Sequence, residues 1–306
     1  MKEILLTCIS PIIIASALRI ATPIVTGAVG GCFTNKAGIT FIGYECLILT
    51  SAFFSMWGSY VTGSAFVGTL TGMLSSVIMA CIFGVLSFHF KANPLIVCIA
   101  LNYGSWAITT SLLQAIFGVR GSFIDPKIIS YNPMDIGILR INSFINTVLN
   151  NKVILVYIAY ILVAVGAVVM YKTPFGLRLR GVGNNPVAAQ SAGTNVTGYK
   201  WIALIIMSLL VGLGGSYLPL SGLSMFTENM SSGRGFLCLA AVLVGKGSPV
   251  KTGLIALLFG YANALALALS AFGIKGQLLE MMPYVAVLIV IIITEIKEIA
   301  SSKASR

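Results

Sequence analysis

The sequence has few charged residues. They make up only 9% of the chain, against 58% hydrophobic residues, whereas a soluble globular domain carries about 25% charged residues. A surface that faces water on all sides cannot be built from so few charges, so lipid must be the solvent for most of it. The composition therefore excludes a single soluble core of 306 residues.

Metal ligands and paired catalytic groups are also scarce. The chain has one histidine, His89, and none of its six cysteines forms a CxxC pair. We therefore predict no metal site, and we interpret the cysteines as small residues embedded in the membrane. No carboxylate pair or nucleophile–base pair occurs at a plausible membrane depth, so we predict no catalytic residue and no enzyme activity.

Nucleotide-binding loops are missing as well. The segment most similar to a Walker A loop, Gly245-Lys246-Gly247-Ser248, lacks the upstream glycine and the Ser or Thr directly after Lys. We therefore expect no cofactor on this chain. If transport is driven by ATP, then ATP and Mg²⁺ bind to a partner subunit.

The net charge of +11 does not indicate nucleic acid. Lys and Arg are scattered singly between apolar runs, and no basic cluster with interleaved aromatic residues could follow a phosphate backbone. Single basic residues in this arrangement are typical of loops that obey the positive-inside rule and contact anionic lipid. We expect membrane lipid, and no nucleic acid, among the partners.

Long apolar stretches recur along the chain, and each could cross about 30 Å of hydrocarbon at a rise of about 1.5 Å per residue. The first is long enough to be two pieces broken around Arg19 to Pro23, and the seventh is short enough to be a half-helix. The pattern predicts one all-α polytopic membrane domain, residues 1–306, with about eight or nine transmembrane helices, some of them broken or short. The stretches lie at 4–31, 39–60, 66–88, 94–117, 152–171, 200–220, 235–248, 251–270 and 277–294.

The two long connections, 118–151 and 172–199, are predicted to lie on opposite sides of the membrane. If 172–199 is cytoplasmic, counting the spans places most basic loop residues on the same side, as the positive-inside rule requires. This orientation makes 118–151 an extracytoplasmic loop, and it makes the N-terminus extracytoplasmic if the first stretch crosses once. The basic residues that fall on the cytoplasmic side are Lys36, Lys91, Lys246, Lys251, Lys297, Lys303 and Arg306.

The segment 172–199 predicts a short exposed helix. Asn184 or Asn185 could act as the N-cap, Pro186 could occupy the first turn, and Gly193 would stop the helix. Such a helix of small residues suits a groove on a partner protein. An ordinary amphipathic loop helix explains the same residues, and both interpretations stay open at this point.

The run Thr173-Pro-Phe-Gly-Leu-Arg-Leu-Arg-Gly-Val-Gly-Asn-Asn-Pro-Val-Ala-Ala-Gln-Ser-Ala-Gly193-Thr-Asn-Val resembles the coupling loop of the branched-chain amino acid/ribose-type ABC permease superfamily. Gly181 stands where that loop usually has alanine, and Thr194 where it usually has isoleucine. The resemblance implies a type II-like importer bundle in which cytoplasmic ATPases dock on this loop. The residues that the resemblance assigns to this contact are Gly183, Asn185, Pro186, Ala188, Ala189 and Gly193.

Two further segments are similar to the same superfamily. The run Asn35-Lys-Ala-Gly-Ile-Thr-Phe-Ile-Gly-Tyr-Glu45 is similar to S-G-V-x-N-I-G-x-E-G, with Cys46 in place of the final glycine. The run Met225-Phe-Thr-Glu-Asn-Met-Ser-Ser-Gly-Arg-Gly-Phe236 most resembles the nucleoside branch. That branch implies a second, related permease, an extracytoplasmic substrate-binding lipoprotein and a place in the cytoplasmic (inner) membrane.

Three polar residues in or beside the apolar stretches are candidates for the substrate pathway. Glu45 is a membrane carboxylate, which is costly unless it has a function or bonds to backbone donors at a helix end. Asn102 could bond to cargo or to another helix. Arg234 precedes an apolar segment on the predicted outer side, where it could meet cargo or a docking protein, or extend to the membrane interface.

The first functional hypothesis is therefore a permease subunit of an ABC importer that translocates a small polar-aromatic solute, with nucleosides as the first candidate. Riboflavin and sugars remain alternatives, because importers of these solutes share the branch. An ion-coupled secondary transporter is a different class, and it needs ionisable residues in the middle of its spans. Glu45 is nearly the only acidic residue that could serve it.

Overall fold

The computed structural model of the chain describes residues 10–135, 137, 143–222 and 224–270, together with positions 281, 284, 285, 287–289 and 292. Its helices are α1 (Pro11–Lys36), α2 (Tyr44–Thr62), α3 (Ala65–Gly84), α4 (Pro94–Phe117), α5 (Ser143–Leu149), α6 (Ile154–Lys172), α7 (Pro174–Asn184), α8 (Pro186–Ser191), α9 (Val196–Leu220), α10 (Arg234–Val244) and α11 (Pro249–Ser270). A π-helical turn, Val85–His89, extends α3, and two short strands, β1 (Ser122–Ile124) and β2 (Met225–Thr227), pair antiparallel.

Several helices begin at a polar cap that is followed by proline. The Ser10 hydroxyl accepts the backbone N–H of Ile13, and the Asn93 side chain accepts that of Leu95. Proline directly after the cap loses no helical hydrogen bond, because the first N–H groups of a helix have no partner within it. These helix starts follow from local sequence.

Within the described ranges, six helices are long and apolar enough to cross a membrane: α1, α3 with its π-helical turn, α4, α6, α9 and α11. Helix α2 has 19 residues, most of them buried between its neighbours, and α10 is a half-length helix of 11 residues. The prediction of an all-α, multi-pass membrane protein with some short helices is confirmed. The stretch predicted at 277–294 lies largely outside the described residues.

The described part of the first apolar stretch, from Pro11 onward, forms one continuous helix rather than two pieces. Helix α1 passes through Pro23 without a break. The Thr26 hydroxyl donates to the carbonyl oxygens of Thr22 and Pro23, at 3.1 and 3.2 Å. The helix also packs against α9 and α11, and this packing overrides the local weakness that proline introduces.

Close approach of small residues holds the bundle together. A Cβ atom added to Gly68 or Gly72 on α3 would lie 2.6 or 2.8 Å from a carbonyl oxygen of α2. The Ser51 hydroxyl on α2 donates to the Gly212 carbonyl oxygen of α9 at 2.5 Å. Lipid supplies no hydrophobic driving force between helices, so contacts of this kind carry the association.

The connecting segments make contacts with one another at each end of the helices. At one end, Gly183 of α7 lies against the carbonyl group of Lys36 at the end of α1, and Gly247 lies against Asn35 and Lys36. At the other end, β1 pairs with β2, and α5 precedes α6. The connections 118–151 and 172–199 therefore lie at opposite ends of α6, and which end faces the cytoplasm stays a prediction from the positive-inside rule.

Candidate functional site

The N-termini of α2 and α10 meet at Glu45, which lies in the first turn of α2. Its two carboxylate oxygens accept the backbone N–H groups of Gly233 and Gly235, both at 2.6 Å. A half-helix that begins inside a membrane exposes N–H groups that no water can satisfy. Glu45 therefore caps α10, and its negative charge lies at the positive ends of two helices.

The backbone at this junction leaves no room for side chains. A Cβ atom added to Gly235 would lie 2.8 Å from the Glu45 Cα atom, and Gly233 has a φ of +79°, a conformation that favours glycine. These two glycines belong to the run 225–236 that carries the family resemblance. Their spacing places two N–H groups at one carboxylate.

Helix α4 supplies the remaining hydrogen-bond acceptors at the start of α2. The Asn102 side-chain oxygen accepts the N–H of Cys46 at 3.0 Å, and one turn earlier the Cys98 sulfur accepts the N–H of Ile42 at 3.3 Å. The contacts of Asn102 are therefore those of an interhelical hydrogen bond. A direct contact between Asn102 and cargo stays a prediction.

Arg234 lies beside the Glu45 junction but faces a different space. Its Nη1 donates to the carbonyl oxygens of Met230 and Ser231, at 2.8 and 3.3 Å, so the guanidinium is held against the preceding turn. It lines a cavity of about 530 Å³, within the range typical of small-molecule sites. We call it the outer cavity, because it lies at the end of the bundle that the positive-inside rule predicts to be extracytoplasmic. The residues that line it are Ser16, Arg19, Ile20, Pro23, Tyr217, Leu218, Ser221, Met225, Thr227, Met230, Ser232, Arg234 and Leu267.

The outer cavity is electropositive. Arg19 on α1 provides a second guanidinium, and no Asp or Glu occurs among the lining residues that the structure describes. Lys152, which precedes α6, lies close enough to Arg19 for the positive charge of Arg19 to lower its pKa, although burial of the amine is the larger cause. The sequence analysis used Arg19 only as a break in an apolar stretch. A cation inside such a stretch is itself a sign of function.

A smaller cavity of about 290 Å³, the inner cavity, lies at the other end of α10. Its lining includes Tyr44, Leu239, Val242 and Leu243, whereas the outer cavity is lined by Ser232 and Arg234. Helix α10 is therefore a wall of both cavities. The contacts between Glu45 and the start of α10 are made at the end of the helix that lines the outer cavity.

The segment 172–199 contains the two short helices α7 and α8. The Asn185 side-chain oxygen accepts the N–H of Ala188 at 3.1 Å, which makes Asn185, rather than Asn184, the N-cap of α8. Helix α8 has no buried residue, and Val187 is 74% exposed. Gly193 ends the helix with a φ of +78°.

Helix α7 connects this exposed helix to the membrane bundle. Leu179 and Val182 are fully buried, and a Cβ atom added to Gly183 would lie 2.8 Å from the Lys36 carbonyl carbon. Of the residues assigned to the ATPase contact, Gly183 therefore packs within the bundle. Asn185, Pro186, Ala188, Gly193 and, in part, Ala189 are accessible. Their contact with an ATPase stays a prediction.

Comparison with known proteins gives a consistent result over nearly the whole chain. A nucleoside ABC transporter permease protein of Lactococcus lactis, NupC, is 31% identical over 294 residues, which cover 92% of this chain and 91% of the relative. The guanosine ABC transporter permease protein NupQ of Bacillus subtilis is 30% identical, over 84% of this chain and 82% of the relative. A second nucleoside permease protein of Lactococcus lactis, NupB, is 24% identical over 96% of this chain and 85% of its own length.

The family model described as the permease component of the branched-chain amino acid transport system matches residues 13–294. This range includes the Glu45 junction, the outer cavity and both helices of the segment 172–199. The chain therefore belongs to this family of ABC transporter permeases, as a multi-pass membrane transport subunit rather than an enzyme.

Proposed function

We propose that the chain is a permease subunit that imports nucleosides across the cytoplasmic (inner) membrane with energy from ATP hydrolysed by a partner. The observation that carries the proposal is the similarity, over nine-tenths of both chains, to a relative named as a nucleoside ABC transporter permease. The outer cavity supports it, because a space of about 530 Å³ with both polar and apolar walls suits a polar aromatic solute.

The exposed helix α8 supports a separate ATPase partner. It has no buried residue, and α7 joins it to the ends of α1 and α9. Movement of α8 by a partner would therefore be transmitted to the helices that line the outer cavity. ATP and Mg²⁺ bind to that partner, and the difference in ATP affinity between two conformations drives the transport cycle.

The full importer contains two further partners. NupB and NupC are two different nucleoside permeases of one organism, and both match this chain. This supports a heterodimer of related permeases in the present case. A substrate-binding lipoprotein on the outer side delivers the nucleoside.

Reconstitution tests this proposal. Liposomes that contain the permease pair, the ATPase and the binding protein should take up labelled nucleoside only when ATP is supplied, and an ionophore should not abolish uptake. Liposomes without the ATPase are the control. The ABC mechanism would be excluded by uptake through the permease alone, or by uptake that requires an ion gradient and does not depend on ATP. The nucleoside assignment would be excluded if the importer took up riboflavin or a sugar instead of nucleosides.

A further inference from the structure

We propose that the outer cavity is the binding site for the base of the cargo, and that Arg19 and Arg234 select bases with an oxo group at purine position 6 or pyrimidine position 4 over bases with an amino group at that position. This inference rests on the proposed function, since it names the class of nucleoside that the permease accepts. It predicts a preference for nucleosides of hypoxanthine, guanine and uracil over those of adenine and cytosine.

The two guanidinium groups come from separate elements that meet only in the folded chain. Arg19 lies on α1, and Arg234 begins α10, yet both line the same cavity of about 530 Å³. Among the described residues, the Arg19 side chain is exposed and donates no hydrogen bond. Arg234 is held in place through its Nη1, which positions the rest of the guanidinium at the cavity wall.

Arginine is a donor and never an acceptor of hydrogen bonds. The 6-oxo group and N7 of hypoxanthine and guanine are both acceptors, and arginine binds this pair of atoms with two hydrogen bonds. Adenine instead presents an amino donor beside N7. A guanidinium that faces the amino group leaves two donors opposed, and burial makes that mismatch costly.

The other lining residues fit this selection. The described part of the lining has no Asp, Glu, Asn or Gln side chain that could accept a hydrogen bond from an amino group. Serine and threonine hydroxyls can donate or accept, so they do not discriminate between the two classes. Met225, Met230 and Tyr217 provide polarizable and aromatic surface that suits the faces of a flat ring.

The test compares inosine with adenosine, which differ at position 6 of the base by an oxo or an amino group. The initial uptake rates of both are measured in liposomes that contain the complete importer. The binding protein also discriminates between nucleosides, so the informative quantity is the change in the inosine-to-adenosine ratio between wild type and variant with the same binding protein. Its own contribution cancels in that comparison.

The Arg19→Gln and Arg234→Gln variants should each lower the ratio about tenfold. Glutamine both donates and accepts, and it binds the N6 and N7 atoms of adenine, so adenosine should gain relative to inosine. A merely structural defect would slow the uptake of both nucleosides and leave the ratio unchanged. Arg120→Gln is the matched control, because Arg120 is an exposed arginine outside the cavity, and its ratio should stay at the wild-type value.

Failure of this inference is distinguishable from failure of the proposed function. If the wild-type importer takes up neither nucleoside with ATP, the proposed function is wrong. If it takes up nucleosides and both glutamine variants keep the wild-type ratio, the cavity is not the base-recognition site, and the proposed function stands. The Arg19→Lys and Arg234→Lys variants are used if a glutamine variant does not fold. Each keeps a cationic donor but lacks the two-pronged geometry of arginine. A lower inosine-to-adenosine ratio in either lysine variant supports the proposal, whereas an unchanged ratio in both overturns it.

Discussion

The hydrogen bonds of Glu45 allow a quantitative prediction about the stability of the bundle. In Glu45→Gln, one of the two carboxylate acceptors becomes an NH₂ group, so either Gly233 or Gly235 loses its hydrogen-bond acceptor. A hydrogen bond to a charged group contributes about 1.5–3 kcal/mol, and a buried donor left without a partner costs about 1–3 kcal/mol. We expect a loss of about 2–3 kcal/mol in the free energy of unfolding, and roughly twice that for Glu45→Ala.

Two measurements test this prediction on the purified permease in detergent. The unfolding temperature of Glu45→Gln should fall by about 5 °C or more. Hydrogen exchange should accelerate in peptides that contain the backbone amides of Gly233 and Gly235, because these groups lose protection when the cap is weakened.

Glu228→Gln is the matched control. The Glu228 carboxylate also accepts one backbone N–H, that of Gly121 at 2.7 Å, but this hydrogen bond is exposed. Water can replace the lost acceptor there, so the unfolding temperature should change little. If Glu45→Gln is as stable as Glu228→Gln and exchange at the start of α10 is unchanged, then the Glu45 carboxylate does not cap α10 as described.

Three further predictions concern other helix junctions. Gly183→Ala should destabilise the permease by about 1–3 kcal/mol, because the added Cβ atom would clash with the backbone of Lys36. Gly181→Ala fills open space and should be neutral or slightly stabilising. Thermal unfolding of the two variants compares them directly. Gly193→Val strains a left-handed backbone position, so it should uncouple ATP hydrolysis from uptake in the complete importer. Gly193→Asn is the control, because asparagine tolerates that conformation, and this variant should stay coupled. Normal uptake by the valine variant would count against the coupling role. Asn102→Leu leaves the N–H of Cys46 without an acceptor and should lower the free energy of unfolding by about 1–3 kcal/mol. Asn102→Asp is the control, because it keeps the acceptor. Equal unfolding temperatures for the two variants would contradict the hydrogen bond between Asn102 and Cys46.

The sequence predicted the elements that depend on local or compositional signals. The apolar stretches identified a multi-pass helical membrane protein, because an 18-residue apolar segment has few other stable environments. The cap at Asn185, the proline after it and the stop at Gly193 defined α8 almost to the residue, since capping involves only neighbours in the chain. The continuity of α1 through Pro23 was left open, because packing by α9 and α11 decides it.

The residues singled out in the membrane show where such reasoning ends. Glu45 was recognised as costly in lipid, but its partners lie 188 and 190 positions away, and no local pattern connects them. Asn102 was left between cargo and an interhelical bond, and only the position of Cys46 relative to α4 showed that the interhelical bond forms. Arg19 received no role, because its importance comes from sharing a cavity with Arg234.

The amino-acid sequence alone determined that this protein lies in a membrane, where its helices begin and which family it resembles. Each of these depends on composition or on residues close together in the chain. Tertiary structure alone decided that Glu45 holds the half-helix α10, that α10 lines two cavities and that two arginines line one of them. These features require distant segments to pack, and the close contacts of small residues that set this packing are fixed only when the whole bundle forms.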